Sequence, residues 1–238
     1  MTRHSQSLID FVTDVNRSGG TYHRLDFGDG LVMDGEYAMD QYWPCYGFPE
    51  DLTGLSVLDV GTASGYFAVE CARRGAHVTA IDIGDGRFQR TVFEGAGTVA
   101  RYEQRDLFDL DETFGAFDIV LCGSLLLHVW DQVGALKRLR AVCRGLTIVA
   151  TGIMPHERGC DAFPAGELVG VKAMGGNGEY WTTWMPNGLA LERMMLAAGF
   201  AQVAYKGSFR LRSAPGRSNF DTPHGVVHGY ARGLEKTC

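Results

Sequence analysis

The stretch SVLDVGTASGYFAVECARRGAHVTAIDI, Ser56 to Ile83, decides how this chain folds. Val57-Leu58-Asp59-Val60 is a largely apolar run that stops at a glycine turn, Gly61-Thr62-Ala63-Ser64-Gly65. Phe67, Ala68, Cys71 and Ala72 then recur at helical spacing until Gly75, and a second run, Val78-Thr79-Ala80-Ile81, finishes in Asp82. Strand, turn, helix and strand within about 28 residues is the size of a βαβ crossover.

The ends of that unit carry its chemistry. Gly61 and Gly65 permit a tight turn and a close approach to the backbone. The turn leads into a helix N-terminus, whose free N–H groups suit a carboxylate or phosphate. Asp82 lies about 20 residues on, where an acid can hold ribose hydroxyls. A nucleoside with a polar extension is the expected ligand. Dinucleotide sites read G-x-G-x-x-G, but here no middle glycine stands where a pyrophosphate would press. Asp59, just before the turn, suits an ammonium group better than a phosphate. An amino-acid end on the nucleoside fits both features, which points to S-adenosylmethionine (SAM).

These residues, Leu58 to Ala68 and Ala80 to Ile83, resemble the first two motifs of class I SAM-dependent methyltransferases. The resemblance extends to a subgroup containing the tRNA wobble-uridine carboxymethyltransferases and their shorter relatives. It rests on Trp43 ahead of Asp51-Leu52-Thr53-Gly54, on Gly65-Tyr66, on Phe117-Asp118 with His128 after it, and on Trp184-Met185-Pro186-Asn187 before Gly199-Phe200. What it implies is a Rossmann-like domain that uses SAM, with an N-terminal segment covering the cofactor and shaping the substrate site. It also places Asp106 and Leu107 against the adenine ring. Where the carboxymethylating relatives have Tyr-His-Arg after the fourth strand, this chain has Leu127-His128-Val129. The groups that would hold an added carboxylate are missing, so ordinary SAM is the expected cofactor.

Elsewhere the chain reads as alternating strands and helices. Residues 5–17 have helical periodicity, 21–34 form a hairpin around Gly28-Asp29-Gly30, and 37–48 are aromatic-rich and irregular. A short helix is expected from Arg87 to Glu94, and strands over Thr98 to Gln104 and Phe117 to Cys122. A helix from Asp131 to Arg144 follows, with Leu136, Leu139 and Cys143 setting its period, then a strand from Leu146 to Thr151. Asn187 caps a helix ending at Gly199, and closing strands span Ala201 to Leu211 and Gly225 to Ala231. The fold class is α/β: a doubly wound, mostly parallel, seven-stranded sheet with an N-terminal cap segment. Residues 1–50 form the helix, hairpin and cap; 51–238 form the SAM-binding domain, with a glycine-rich substrate loop at about 153–186.

Lys and Arg number 22 against 28 Asp and Glu, so the formal charge is −6. That balance argues against polymeric nucleic acid. The cluster Arg210, Arg212 and Arg217 reads as a solvated face. Six scattered cysteines suggest neither disulfides nor zinc. Without a signal-like or membrane-length apolar run, a cytoplasmic protein with no membrane partner is expected. Self-association as a homodimer is left open.

For the cofactor, the expected residues are Asp59, Gly61, Thr62, Ala63, Gly65, Asp82, Ile83, Asp106 and Leu107. Cys122, Gly123 and Ser124, at the end of the fourth strand, should line its methionine side. His128 is the first candidate for a general base, because imidazole takes a proton near neutral pH; His23 and Tyr180 are further catalytic candidates. Tyr22, Trp43, Trp181 and Trp184 are candidates for holding a flat substrate. No metal is expected, since no paired histidines fall in the site with helical spacing. The reading is a SAM-dependent methyltransferase acting on an O or N atom of a small, aromatic or non-aromatic, metabolite. Its rivals are attack at the methionine γ-carbon with release of methylthioadenosine, tRNA wobble-uridine modification, non-catalytic SAM binding, and a NAD-dependent oxidoreductase.

Overall fold

In the computed structural model, which describes residues 4–154, 171–173 and 183–232, seven strands form one sheet. They are β1 (Ser56–Val60), β2 (His77–Asp82), β3 (Ala100–Gln104), β4 (Phe117–Gly123), β5 (Cys143–Gly152), β6 (Gln202–Arg212) and β7 (Asp221–Tyr230). Their order is β6-β7-β5-β4-β1-β2-β3. Strands β1 to β5 run parallel, and β7 is antiparallel to both its neighbours. The expected mostly parallel, doubly wound sheet is what forms. Val57, Leu58 and Val60 are buried on both faces of β1, as a strand sandwiched between helices requires.

The helices are α1 (Gln6–Arg17), α2 (Tyr66–Arg73), α3 (Arg87–Gly95), α4 (Gln132–Ala141) and α5 (Gly188–Ala197). Side chains of α1, α2 and α3 share one core with one face of the sheet; those of α4 and α5 fill the other. Val60 stands level with Ile81 of β2 on one side and Cys122 of β4 on the other. The chain crosses over in opposite senses from these neighbours, so a crevice opens beyond the three level carboxyl ends.

Four departures from the sequence reading have local causes. Cys143 is not the last turn of α4 but the first residue of β5, opposite Phe117. β7 starts at Asp221 and runs through Pro223, which pairs with Arg210, rather than starting at Gly225. The long segment at 153–186 holds a small antiparallel pair, Val171–Ala173 with Trp184–Pro186. The expected hairpin (Leu25–Gly28 with Leu31–Met33) is itself clasped by a parallel pair, Thr21–His23 with Gly35–Tyr37.

This N-terminal segment is tied to the other end of the chain. Ala214 N donates to Glu36 O at 2.7 Å, Arg212 N to Tyr42 Oη at 3.1 Å, and Ser213 Oγ to Glu36 Oε1 at 2.5 Å. The Arg217 guanidinium reaches Gly19 O. His228 Nε2 meets Tyr46 O at 2.8 Å, pinning the short helix Trp43–Tyr46 onto β7. Arg210 and Arg212 both pair with Asp221 and are 52% and 63% exposed, so they sit on a solvated face.

Gly35 is the tightest point of the clasp: a Cβ there would lie 2.1 Å from Arg24 N and 2.2 Å from the His23 carbonyl carbon. Backbone cannot yield as a side chain can. Gly35→Ala is therefore expected to cost about 2 kcal/mol or more and to lower Tm by roughly 4–8 °C in differential scanning calorimetry. An unchanged Tm would mean that the clasp is not rigid.

Candidate functional site

A cleft of about 360 Å³ opens beyond the ends of β1, β2 and β4. That is within the roughly 300–1,000 Å³ of small-molecule sites. Its walls come from the glycine turn (Gly61, Ala63), the end of β2 (Asp82, Ile83), the segment after β3 (Asp106, Leu107, Phe108), the segment after β4 (Gly123, Ser124, His128) and the N-terminal segment (Tyr22, His23).

The glycine turn is built by its conformation. Gly61 and Gly65 have φ of +73° and +91°, where an L side chain is strained. The space a Cβ would need belongs to the protein itself: Leu125 Cδ2 lies 2.9 Å away at Gly61, and Phe93 Cε1 lies 2.8 Å away at Gly65. Gly61 N and Thr62 N both donate to Ile81 O, at 2.9 and 3.1 Å. Ala63, at φ +48°, is strained; its N–H donates to Asp82 Oδ2 at 3.0 Å and its carbonyl accepts from Gln89 Nε2 at 2.5 Å. Ser124, at φ +56°, is the second strained cleft residue, held by its N–H to Ala150 O at 2.7 Å. Strain of this kind gathers where a surrounding structure enforces it, commonly at working sites.

Asp82 has both oxygens engaged, with Ile83 N on Oδ1 at 2.8 Å and Ala63 N on Oδ2, so it orders the turn as well as facing the cleft. Asp106 Oδ1 accepts from Phe108 N at 2.8 Å, capping the turn Leu107–Asp109. Ile83 is 71% exposed and Phe108 39%, two apolar side chains left bare in the cleft lining. Sequence reading missed Phe108, as well as Tyr102, whose hydroxyl donates to Gly84 O at 2.6 Å and Asp82 O at 3.1 Å and so braces the end of β2.

Several expected residues lie elsewhere. Asp59 does not reach the cleft surface: it is 3% exposed, and Thr62 Oγ1 donates to its Oδ2 at 2.7 Å. Thr62, Gly65 and Cys122 lie behind the lining. Trp43 is on the far side of Phe67, stacked on Phe48 at 4.5 Å and covered by the Arg74 guanidinium at 4.1 Å. Trp184 meets Trp130 edge to face at 6.0 Å beyond His128, outside the cleft lining. Tyr180 and Trp181 lie outside the described residues.

Burial sets the ionisation of the floor. It drives the His23 imidazole down to about 3, so His23 is neutral at physiological pH. It pushes the Asp59 carboxyl up to about 7, against the Thr62 hydrogen bond and with help from the Asp82 charge. A carboxyl raised in the fold favours its protonated form, so Asp59's contribution to stability is complete below its ordinary value of 3.8 and is lost as pH rises to about 7. The unfolding free energy of wild type relative to Asp59→Asn, read from urea denaturation, is expected to fall across pH 4–7, by at most about 1.4 kcal/mol per pH unit. A flat difference would place the charge in contact with water or a cation.

Residues 57–145 match the family of methyltransferase domains. The N-terminal domain of EvdMO1 with SAH bound superposes with a TM-score of 0.64 over 94% of this chain and 96% of that one, at 18% identity. An S-adenosylmethionine dependent methyltransferase from Mesorhizobium loti gives 0.58 over 81% and 100%, at 16% identity. A ubiquinone biosynthesis O-methyltransferase of Methylocella silvestris is 36% identical over 107 residues, which are 43% of this chain and 42% of that protein. That of Hahella chejuensis is 33% identical over 96 residues, 39% and 40% of the two. The chain thus spans about two fifths of the length of the curated relatives it matches.

Proposed function

We propose, from the premise that this chain carries a class I SAM-dependent methyltransferase domain, that it transfers a methyl group from SAM to an O or N atom of a small molecule. The observation that carries this reading is the convergence of a strained glycine turn, the Asp82 carboxylate and the bare apolar pair Ile83 and Phe108 on one cleft. An adenosyl amino acid has a matching sequence of parts: a flat base, a ribose diol and a charged amino-acid end.

When bound, SAM supplies an electrophilic methyl carbon on a sulfonium. The chain's own residues then have to bind and aim. Asp82 would accept from the ribose hydroxyls. Asp106, Leu107, Ile83 and Phe108, which line the same part of the cleft, would hold the base. Gly61 and Ala63 offer the backbone of the turn to the amino-acid end, while Asp59 acts from behind by fixing Thr62. Alignment of an acceptor with such a carbon can supply roughly 7–11 kcal/mol of barrier reduction. A base is needed for a hydroxyl acceptor and less so for an amine. His128, exposed at the cleft rim, is the proton acceptor in this reading; His23, at about 3, is too weak a base.

The relatives named for ubiquinone O-methylation support an O-linked small-molecule acceptor. Among the described residues no helix is long and apolar enough to cross a membrane. The test is incubation with SAM, alone and with cell extract, followed by chromatography. S-adenosylhomocysteine should accumulate only with extract. Methylthioadenosine instead would move the attack to the γ-carbon, and SAM binding with no nucleoside product would make the chain a binding protein.

A further inference from the structure

Behind the side of the cleft formed by His23, Gly123, Ser124 and His128 lies a group of buried polar atoms with nothing to bond. Tyr46 is fully buried and His224 is 1% exposed. Yet Tyr46 Oη, Ser124 Oγ, His224 Nε2 and His23 Nδ1 have no hydrogen-bond partner among the described residues. Seven buried side-chain atoms share that condition, and these four belong to one neighbourhood. A Cβ on Gly123 would sit 3.6 Å from Tyr46 Oη and 3.7 Å from Phe67 Cε2. The Tyr46 and His23 rings lie 4.6 and 6.1 Å from that of Phe67. Further in, Phe209 lies 5.8 Å from Tyr46 and stacks on His224 at 5.6 Å. Burial pushes the Tyr46 phenol's pKa up, and the Ser124 hydroxyl faces Tyr46 Oη closely enough for a hydrogen-bonding interaction that lowers it in part. The pair falls short of full hydrogen-bond geometry, so both oxygens retain capacity for a ligand.

Buried polar atoms in folded proteins are nearly always satisfied, and an orphan forfeits its hydration without return. The contrast with His228 is instructive: on the same face of β7, its Nε2 is committed to Tyr46 O and it is structural. His224 has its Nδ1 at 3.1 Å from Thr222 O. A carbonyl only accepts, so the proton is on Nδ1 and Nε2 is a bare acceptor that wants a donor. Burial, which pulls this imidazole down to about 4, keeps it in that form. Tyr46 and Ser124 can each give or accept one bond. No lysine, arginine or carboxylate belongs to the group.

We infer that Ser124 Oγ and His23, which line the cleft, with Tyr46 Oη and His224 Nε2 directly behind them, form the acceptor subsite and take an uncharged molecule bearing more than one hydroxyl group. This rests on the methyltransferase reading and narrows it. The group itself carries no fixed charge; the nearest ionisable neighbours are His128, which acts on His224, and Asp59, which acts on Tyr46 and whose own carboxyl burial pushes up to about 7.

The test has two parts, both distinguishable from SAM binding measured separately by calorimetry. Tyr46→Phe and His224→Phe remove orphan atoms while keeping a ring, so each should raise Tm by about 2–4 °C and leave the Kd for SAM within about twofold. With SAM present, thermal shift and S-adenosylhomocysteine release are then read for catechol, methyl glucoside, benzoate and benzylamine, each at roughly 10 mM. Stabilisation or turnover by a neutral diol, reduced at least about tenfold in Tyr46→Phe, is the expected result. A fall in Tm in both variants, preference for benzoate or benzylamine, or no response to any of the four would overturn the inference. Failure of SAM itself to bind would instead sink the reading beneath it.

Discussion

Asp82→Ala is expected to raise the Kd for SAM by about 10²- to 10⁴-fold, the largest binding loss of any single substitution in the cleft. Each charge-assisted hydrogen bond to a ribose hydroxyl contributes roughly 1.5–3 kcal/mol, and two are lost together. The side chain also orders its surroundings, since Ala63 N and Ile83 N both donate to it. Without it the strained Ala63 peptide loses a support and the turn can relax. Asp82→Asn separates the two roles: its amide oxygen can still accept from Ala63 N, so the turn should survive. Its affinity loss should be nearer tenfold. Titration calorimetry of the three proteins decides; equal affinities would remove Asp82 from the cofactor site.

The second large effect falls on turnover rather than binding. His128→Ala should reduce kcat by about 10²- to 10⁴-fold, the usual contribution of a positioned general base. The Kd for SAM should change little, because His128 sits at the rim beyond β4 and not among the residues proposed to hold the base or ribose. The pH–rate profile should lose its acidic limb at the same time. The assay is single-turnover S-adenosylhomocysteine formation with the acceptor recovered from extract. A proportionate loss in kcat and SAM affinity would show that the imidazole supports the loop Leu126–His128 instead of moving a proton.

Much of this was legible in residues 56–83, because local rules and the tertiary fold agree there. A buried strand followed by glycines at positive φ and a short apolar helix has few alternative uses, and β1, the turn and β2 fall where periodicity places them. Cys143 shows the limit. Leu136, Leu139 and Cys143 keep helical spacing, but the chain turns at Val142 and pairing with Phe117 claims Cys143 for β5. Pro223 hid the start of β7 because proline cannot donate to a ladder, yet its carbonyl accepts from Ile153 N at 2.9 Å. Asp59 was read as a ligand group because sequence shows its neighbours in the chain and not the depth at which its carboxylate ends. Tyr46 and Tyr102 carried no motif, and His224 stood out in the sequence only as a polar candidate with H-x-x-x-H spacing to His228 in a strand-like stretch. Their significance depends on partners, or the want of partners, brought together from more than a hundred positions away in the case of Tyr46 and His224.

The ties between Glu36 and Ser213, Tyr42 and Arg212, and Tyr46 and His228 have a consequence for how the protein is made. A ribosome emits the helix, hairpin and short Trp43–Tyr46 turn first, but their anchoring groups appear only after β6 and β7 have left the exit tunnel. Until then the nascent chain can assemble β1 to β5 and the glycine turn, yet it has no fixed roof over them. Translation that stops short of β7 would therefore yield a half-built pocket, so the cleft is completed only once β7 has been made.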